Sequence, residues 1–560
     1  MKVRFLGAVG TVTGSCSWMQ DEARGWNFLV DCGLQQEDTE SAMGAPNGWP
    51  FDPAALQFVA LTHAHLDHSG LLPALCRDGF RGPVYCTSET AELAQLALSD
   101  AARRPGAGIT KADVDRIQWR RFREDLPFGQ PRPVAQDLFL RTYRAGHIPG
   151  AVSIEVLWGA PGPEQRNIVF SGDIGPGCED HEVAPMLRFP WNPRRACFAV
   201  LESTYGGTVR SPESRSPGQR LSGLNDLVAS VVESGGTLLL PAFAIGRAQD
   251  LLFDLHAVVA ADPERFQRLE IVLDAPLARR VNAVVATAMQ RTDVTRNKVR
   301  PLWLGKQVFR QLGLDDTEPD DIQAALNIIQ MTFVSAAGDA ALPVSRGNAL
   351  ARQWRPLTRA RGQAGMARSS QPHQPTVIVC GSADGCGGAA AAWLPVLLRD
   401  PRNIIATTGY TAPHSVMGQT ARLAELPFKE RRRHPGSIAW PDGRSFPIRD
   451  VAATITSLKG YSAHADQTDL LEWVFLRRQD GDGVVAPTLF IQHGEDRARE
   501  ALRDAVLKQA AVRGERVCVH LPQPADEWHS LDLAPNSVAK PASHIERALS
   551  TAPNSVELTA

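Results

Sequence analysis

Along the first 200 residues the apolar positions fall in short runs cut by glycine: 3–6, 27–30, 58–61, 84–86, 152–157, 167–170 and 198–201. Runs of this length, bounded by turn residues, predict β-strands, and several of them end in polar side chains. Between them, residues 89–104 and 111–123 have the spacing and composition of helices, so the opening region predicts a mixed α/β layer structure. From about 205 the order becomes strand, glycine-bounded loop, helix, as in 237–241 before 246–259 and 376–380 before 387–398. That order predicts a doubly wound second unit. Short strands return after 448, at 451–457 and 487–492, around a helix at about 467–478, with a last helix and strand ending near 521. The return predicts that the first domain is completed late in the chain.

The acidic stretch 315–321 and the Arg-, Gln-, Ser- and Pro-rich stretch 359–375 read as exposed loops. Beyond 523, Ala, Pro, Ser and Asn dominate, and Ala-Pro-Asn-Ser-Val occurs at 534–538 and again at 552–556, which predicts a largely disordered tail. With 43% hydrophobic and 21% charged residues among 560, the chain has the balance of a soluble globular protein and length for two domains. Its formal net charge of −2 provides no general field for nucleic acid, so any such partner has to meet a local basic surface. The nine cysteines form no Cys-x-x-Cys pair, which argues against a disulfide framework or a thiolate zinc site and fits a reducing cytoplasm. The longest apolar stretch, 389–398, is shorter than the roughly 20 residues a membrane span needs and contains Pro395. Gly7, Gly10, Thr11, Thr13 and Gly14 interrupt what would be the apolar core of a signal peptide behind Lys2 and Arg4. A cytoplasmic protein without membrane association is therefore expected.

After the run 58–61 stands Thr62-His63-Ala64-His65-Leu66-Asp67-His68-Ser69-Gly70, with four potential ligands at a strand-to-loop junction. Alternate side chains of an extended segment share a side, so His63 and His65 can converge on one ion while a turn at Leu66 redirects Asp67 and His68 to another. Imidazole and carboxylate donors without thiolate favour zinc, or manganese or iron, in an open catalytic site. The bland alternative is a solvated loop with clustered histidines, against which the particular spacing His-x-His-x-Asp-His speaks.

That spacing resembles the signature of the metallo-β-lactamase superfamily, and further elements of the pattern follow in order. Asp31, in Phe28-Leu29-Val30-Asp31-Cys32-Gly33, matches an early aspartate that supports a ligand or the backbone; alone it reads as a turn residue. His147, in Ala145-Gly146-His147-Ile148-Pro149-Gly150, and Asp173, in Ser171-Gly172-Asp173-Ile174-Gly175, match a third ligand motif and a bridging carboxylate. The resemblance implies one metal on His63, His65 and His147 and another on Asp67, His68 and His493, with Asp173 shared. It implies two Zn2+ per chain, with Mn2+ as the alternative. Two cations about 3.5 to 4 Å apart acidify a water and neutralise charge on phosphate oxygens, which suits a phosphodiester.

Leu201-Glu202-Ser203-Thr204-Tyr205-Gly206, Pro241-Ala242-Phe243-Ala244-Ile245-Gly246-Arg247-Ala248-Gln249, Tyr461-Ser462-Ala463-His464-Ala465-Asp466 and Gln492-His493-Gly494-Glu495 look like the β-CASP nuclease branch. That branch includes bacterial ribonucleases and the endonuclease subunit of the messenger-RNA cleavage and polyadenylation machinery. The resemblance covers roughly residues 1–520 and implies an α/β fold, a metallo-β-lactamase αββα sandwich with an inserted doubly wound β-CASP domain. The expected division is 1–204 and 448–523 for the sandwich, 205–447 for the insertion and 524–560 for the tail. The implied activity is metal-dependent hydrolysis of RNA, endonucleolytic rather than 5′–3′ exonucleolytic, in RNA processing or decay. Single-stranded RNA is the implied partner, and homodimers are common in the branch. A histidine at the position of His493 accompanies RNA-acting members, whereas DNA-acting ones typically carry valine there.

Asp67, Glu202 and His464 are the implied catalytic residues. The carboxylate matching Glu202 orients the imidazole matching His464, which assists the leaving oxygen, because an alkoxide leaves poorly without a proton or a positive partner. Capping of the following turn is the bland reading of Glu202. Arg247, just inside a helix behind Gly246, can bind a phosphate or serve a structural ion pair. Ser462, and Ser382 in the glycine-rich loop 381–388, are further candidate substrate contacts. Here the chain departs from the branch: Ser382-Ala383-Asp384 replaces Ser-Gly-Met, Gly207-Thr208-Val209-Arg210 lacks the usual histidine, and Gly409-Tyr410-Thr411-Ala412-Pro413-His414 replaces Gly-Tyr-Gln-Ala-Glu-Gly. Asp384 would repel a phosphate placed beside it. The basic stretch 429–433 reads as a solvated loop. A small-molecule ester, thioester or lactam hydrolase, a DNA nuclease and a catalytically dead scaffold are the competing readings. An insertion of some 240 residues argues against the first, and the full ligand set argues against the last.

Overall fold

The computed structural model describes residues 1–35, 48–104, 106–122, 128–162, 164–178, 181–295, 298–337, 374–409, 411–475, 483–524 and 526–531. Two seven-stranded sheets lie face to face. One runs in the order His529–Ser530, Lys2–Phe5, Ser17–Asp21, Trp26–Val30, Val59–Ala60, Pro83–Cys86, Gln118–Arg121; the other Cys518–His520, Thr488–Ile491, Phe198–Leu201, Arg166–Phe170, Val152–Trp158, Leu138–Arg144, Arg132–Ala135. Val3, Phe5, Phe28, Val30, Ile154, Val156, Ile168, Phe170, Val200 and Phe490 fill the space between them. Successive strand side chains point to opposite faces, so Phe198 and Val200 enter this inner layer while Ala199 and Leu201 pack outward against the helices Gln467–Phe475 and Asp496–Arg513. A strand buried on both faces reads as an unbroken apolar run, which is why this one is visible in the sequence.

After Leu201 the chain leaves the sandwich and builds a parallel sheet in the order Glu270–Asp274, Thr376–Cys380, Thr237–Pro241, Ile404–Thr407, Thr454–Ser457. Leu238 and Leu240 face the core shared with the helices Pro217–Ser234, Arg247–Ala261 and Pro276–Met289; Leu239 faces the opposite core with the helix Gly388–Leu397. This is the expected doubly wound insertion. The chain then returns, and Thr488–Ile491 pairs in parallel with Phe198–Leu201.

Four expectations need correction. The strand read at 451–457 belongs to the inserted sheet, alongside Ile404–Thr407, so that sheet extends past the expected boundary at 447; an apolar run does not state which distant edge it will join. Of the expected helix 111–123, the described residues 111–122 hold only a short helix, Lys111–Asp115, followed by the strand Gln118–Arg121, whose pairing with Pro83–Cys86 overrides local helical spacing. The acidic stretch 315–321 runs into the helix Pro319–Ala337, with Asp320 and Asp321 in its first turn, where carboxylates meet the positive end of the helix dipole. The expected tail is ordered at its start, because His529–Ser530 pairs with Lys2–Phe5. Its remainder, 532–560, and most of 359–375 lie outside the described residues. Among the described residues no helix is long and apolar enough to cross a membrane.

One buried cluster locks the insertion to the loop that leads back to the sandwich. Asp254 accepts hydrogen bonds from Arg220 Nε at 2.7 Å and from Tyr461 Oη at 2.7 Å. All three side chains are buried, so the pairing tethers Tyr461, three residues before His464, to two helices of the insertion.

Candidate metal centre

At one edge of the sandwich the strand ends deliver seven side chains to a common space. Val59–Ala60 runs into His63 and His65, and the short helix Leu66–Ser69 turns Asp67 and His68 back toward it. Asp31 sits in the left-handed region at φ 60° and His493 at φ 55°. Side chains other than glycine hold that conformation at a cost of about 1–3 kcal/mol, and such strain collects at functional sites. Asp31 has compensating contacts: its carboxylate accepts from Thr62 N at 2.8 Å, Thr62 Oγ1 at 2.8 Å and His68 Nδ1 at 2.8 Å. The support expected of Asp31 is thus a direct grip on the ligand segment.

Two groups of donor atoms converge. In the first, His65 Nδ1 lies 3.2 Å from His63 Nε2 and 3.0 Å from His147 Nε2, and Asp173 Oδ2 lies 3.4 and 3.6 Å from those two Nε2 atoms. In the second, His68 Nε2 lies 3.2 Å from His493 Nε2 and 3.1 Å from Asp173 Oδ1, and Asp67 Oδ2 is 3.5 Å from His493 Nε2. A tetrahedral ion with bonds of about 2.0–2.1 Å would set its ligands about 3.3 Å apart, so both groups fit the edges of such a polyhedron. Asp173 offers one oxygen to each group, and its buried Oδ1 takes no hydrogen bond.

The outward ring nitrogens explain why the inward ones carry lone pairs. His147 Nδ1 donates to the Ala463 carbonyl at 2.9 Å, and His68 Nδ1 is held by Asp31. His493 Nδ1 lies 3.1 Å from Thr204 Oγ1. An imidazole that gives its one proton to an outer acceptor must present an unprotonated nitrogen to the centre. Burial, reinforced by neighbouring histidines, holds His63 and His147 well below the usual imidazole range. For Asp173, burial pushes the carboxyl up, but the surrounding His493, His68 and His63, in their charged forms, outweigh it and hold the group well below the usual carboxylate range. The donor set, imidazoles and carboxylates with no thiolate, fits divalent metal, as the sequence predicts.

Glu202 and His464 border this space. Glu202 Oε1 accepts from Ile174 N at 2.7 Å and faces His464 Nδ1 at 3.3 Å, while Oε2 accepts from Thr204 N at 3.2 Å. The carboxylate does cap the next turn, as the bland reading held, and also meets the imidazole. His464 Nε2 lies 3.9 Å from Asp173 Oδ2. Burial pushes His464 down, yet Glu202, Asp173 and Asp67 carry it above the ordinary histidine value.

The other candidate contacts differ from one another. Arg247 is only 9% exposed and donates to the Thr408 carbonyl. Its Nε has no partner, and among the described residues it makes no ion pair, so the structural-ion-pair reading loses its partner. Ser462 Oγ accepts from Arg210 at 3.0 Å, and Ser382 Oγ donates to Asp384 within its own loop. Sequence reasoning missed Arg210, which also donates to the His464 carbonyl at 3.2 Å and stacks on the Tyr205 ring at 4.5 Å. Its one signal was the absence of the branch's histidine after Gly206. Thr62 and Thr204, each beside a motif residue, were missed as well.

Gly33 permits the ligand turn to close. A Cβ there would stand 1.6 Å from the Asp67 carbonyl oxygen and 2.8 Å from His68 N. Gly33→Ala is therefore expected to push the 65–69 turn away from Asp31, lowering bound metal per chain and shifting thermal unfolding downward. Elemental analysis and calorimetry would check this, and wild-type metal content in the variant would refute it.

A sandwich of this layering, with imidazoles and carboxylates gathered at one sheet edge, defines a metallo-hydrolase. Residues 9–227 match the metallo-beta-lactamase superfamily, 248–419 the Beta-Casp domain and 448–516 the Zn-dependent metallo-hydrolase RNA specificity domain. The chain is similar to Ribonuclease TTHA0252 of Thermus thermophilus, at 30% identity over 92% of this chain and 97% of that protein. It is also similar to Transcription termination factor FttA of Methanothermobacter thermautotrophicus, at 27% identity over 84% of this chain and 64% of that protein. The FttA of Methanosarcina mazei matches at 25% over 91% and 70%. The chain belongs to the β-CASP branch of the metallo-β-lactamase superfamily.

Proposed function

We propose that this chain is a two-zinc ribonuclease that cuts single-stranded RNA internally, in RNA processing or decay. The observation that carries the reading is Asp173, whose two oxygens each complete a separate group of four donors beside the Glu202–His464 pair. The name of the Thermus thermophilus relative and the match to an RNA specificity domain support RNA as the substrate class. Nine cysteines with no disulfide among them support a reducing, cytoplasmic setting.

In this mechanism His63, His65 and His147 would hold one cation and Asp67, His68 and His493 the other, with Asp173 offering one oxygen to each group. Bound there, the cations would supply a nucleophile from water at neutral pH and neutralise charge on the phosphate. Asp67, aligned by His493, accepts a hydrogen bond from the attacking water and orients it. Glu202 fixes the His464 ring through Nδ1 and favours its protonated form, so that Nε2 gives a proton to the departing 3′ oxygen. Thr62 and Asp31 keep the ligand turn rigid while charge moves. Arg247 binds a neighbouring phosphate with a guanidinium already buried and short of an acceptor, and Ser462 and Ser382 add hydroxyl contacts.

The test uses labelled linear and circular single-stranded RNA and the matching DNA, with protein stripped by chelator and reloaded with zinc or manganese. Cleavage of circular RNA, absent after stripping and restored by reloading, is expected, with DNA cut far more slowly. A circle left intact while linear RNA shortens would replace internal cutting by trimming from an end. Metal-loaded protein inert on every RNA would end the ribonuclease reading.

A further inference from the structure

The inserted sheet has a topological switch point whose exposed aromatic ring the mechanism leaves unused. Thr237–Pro241 and Thr376–Cys380 are parallel neighbours, and the helix after the first packs on one face of the sheet, the helix after the second on the other. Oppositely directed connections leave a crevice beyond the carboxyl ends of such strands, the usual place for a ligand in an open α/β sheet. Its walls are the loops 242–246 and 381–387, which start side by side, with Ala242 N donating to the Cys380 carbonyl at 2.8 Å.

Three observations say what the crevice takes. Phe243, on the first wall, is 55% exposed, although a large aromatic ring would ordinarily be buried. Asp384, on the second wall, is exposed and carries a negative charge, which excludes a phosphate from that side. Arg247, at the start of the helix that follows the first wall, is buried with an unpartnered Nε and supplies the cation for a phosphate next door. The first wall also reaches the metal centre: a Cβ on Gly246 would lie 3.0 Å from Ile148 Cγ2, adjacent to His147. An exposed aromatic face beside a phosphate-binding cation is the pairing by which proteins hold single-stranded nucleic acid.

We propose that this crevice is a nucleobase subsite, in which the Phe243 ring stacks one unpaired base of the strand while Arg247 holds an adjoining phosphate. The inference rests on the ribonuclease reading and adds a specific contact to it. Stacking of a base on an aromatic ring makes binding about 5- to 150-fold tighter, and it tolerates any base because each has a π face.

The experiment measures binding without cutting, by fluorescence anisotropy on chelator-stripped full-length protein with a short single-stranded RNA and a set of copies bearing one abasic residue at successive positions. Wild-type protein is expected to lose about 5- to 150-fold in affinity at one abasic position. Phe243→Ala should bind intact RNA more weakly by a similar factor and ignore that same abasic position, and Phe243→Trp should restore both the affinity and the sensitivity. Equal affinity of wild type and Phe243→Ala, or an abasic penalty that persists unchanged in Phe243→Ala, would overturn the subsite. Cleavage of the intact RNA by metal-loaded wild type, run in parallel, separates the two failures. RNA cut without dependence on Phe243 sinks only the subsite, whereas RNA neither bound nor cut sinks the ribonuclease reading with it.

Discussion

His65→Ala is expected to abolish metal-dependent cleavage, with a rate loss of at least about a thousandfold, because a catalytic cation supplies several kcal/mol of charge stabilisation. His65 Nδ1 lies closest to both other imidazoles of its group, 3.2 Å from His63 Nε2 and 3.0 Å from His147 Nε2. Alanine removes that donor and leaves His63, His147 and one oxygen of Asp173, so the group falls from four donors to three and should hold its cation more weakly. Elemental analysis should find about one cation fewer per chain. The second group shares only Asp173 with the first, so its ion should survive, and residual metal with lost activity would show that both positions are needed. Added zinc should not rescue the variant. A His65→Ala protein that cuts at the wild-type rate would remove the first group from the reaction.

The second large effect is expected at His464. Its alanine variant should lose at least about a hundredfold in rate while retaining most of the wild-type metal content, since His464 belongs to neither four-donor group and meets them through the His147 ring at 4.5 Å and Asp173 Oδ2 at 3.9 Å. The decisive comparison uses an RNA whose scissile 3′ oxygen is replaced by sulfur. A thiolate departs without a proton, so His464→Ala should be nearly as fast as wild type on that substrate. Glu202→Gln should behave as a milder version of the same defect, because glutamine can still accept from Ile174 N but cannot stabilise a charged imidazole. Equal losses on both substrates would assign His464 a merely structural role.

These effects separate what local pattern shows from what folding assembles. The segment 62–70 announces its chemistry because four potential ligands sit within six positions and its neighbours are apolar, so the strand before and the turn after are both visible. Strands such as Phe198–Leu201 are visible for the same reason, being buried on both faces. Arg210 was not, because a lone arginine in a polar loop has no periodicity to betray it. Its role comes from the His464 carbonyl and Ser462, some 250 positions away. Thr454–Ser457 is the complementary case: its strand character was legible, but its choice of sheet was not.

The order of residues alone decided the kinds of donor atoms, the tight turn that splits Asp67 and His68 from His63 and His65, and the strand and helix periodicities from which two α/β units follow. Those are properties of near neighbours, where backbone geometry leaves few options. The tertiary structure decided the rest: the approach of His493 to His68 across 425 positions, the outer partners that aim His68, His147 and His493 inward, the unpartnered Nε of Arg247 and the exposure of Phe243. Each of these depends on which distant surfaces pack together, and burial and charge at a point in space are set by everything that surrounds it.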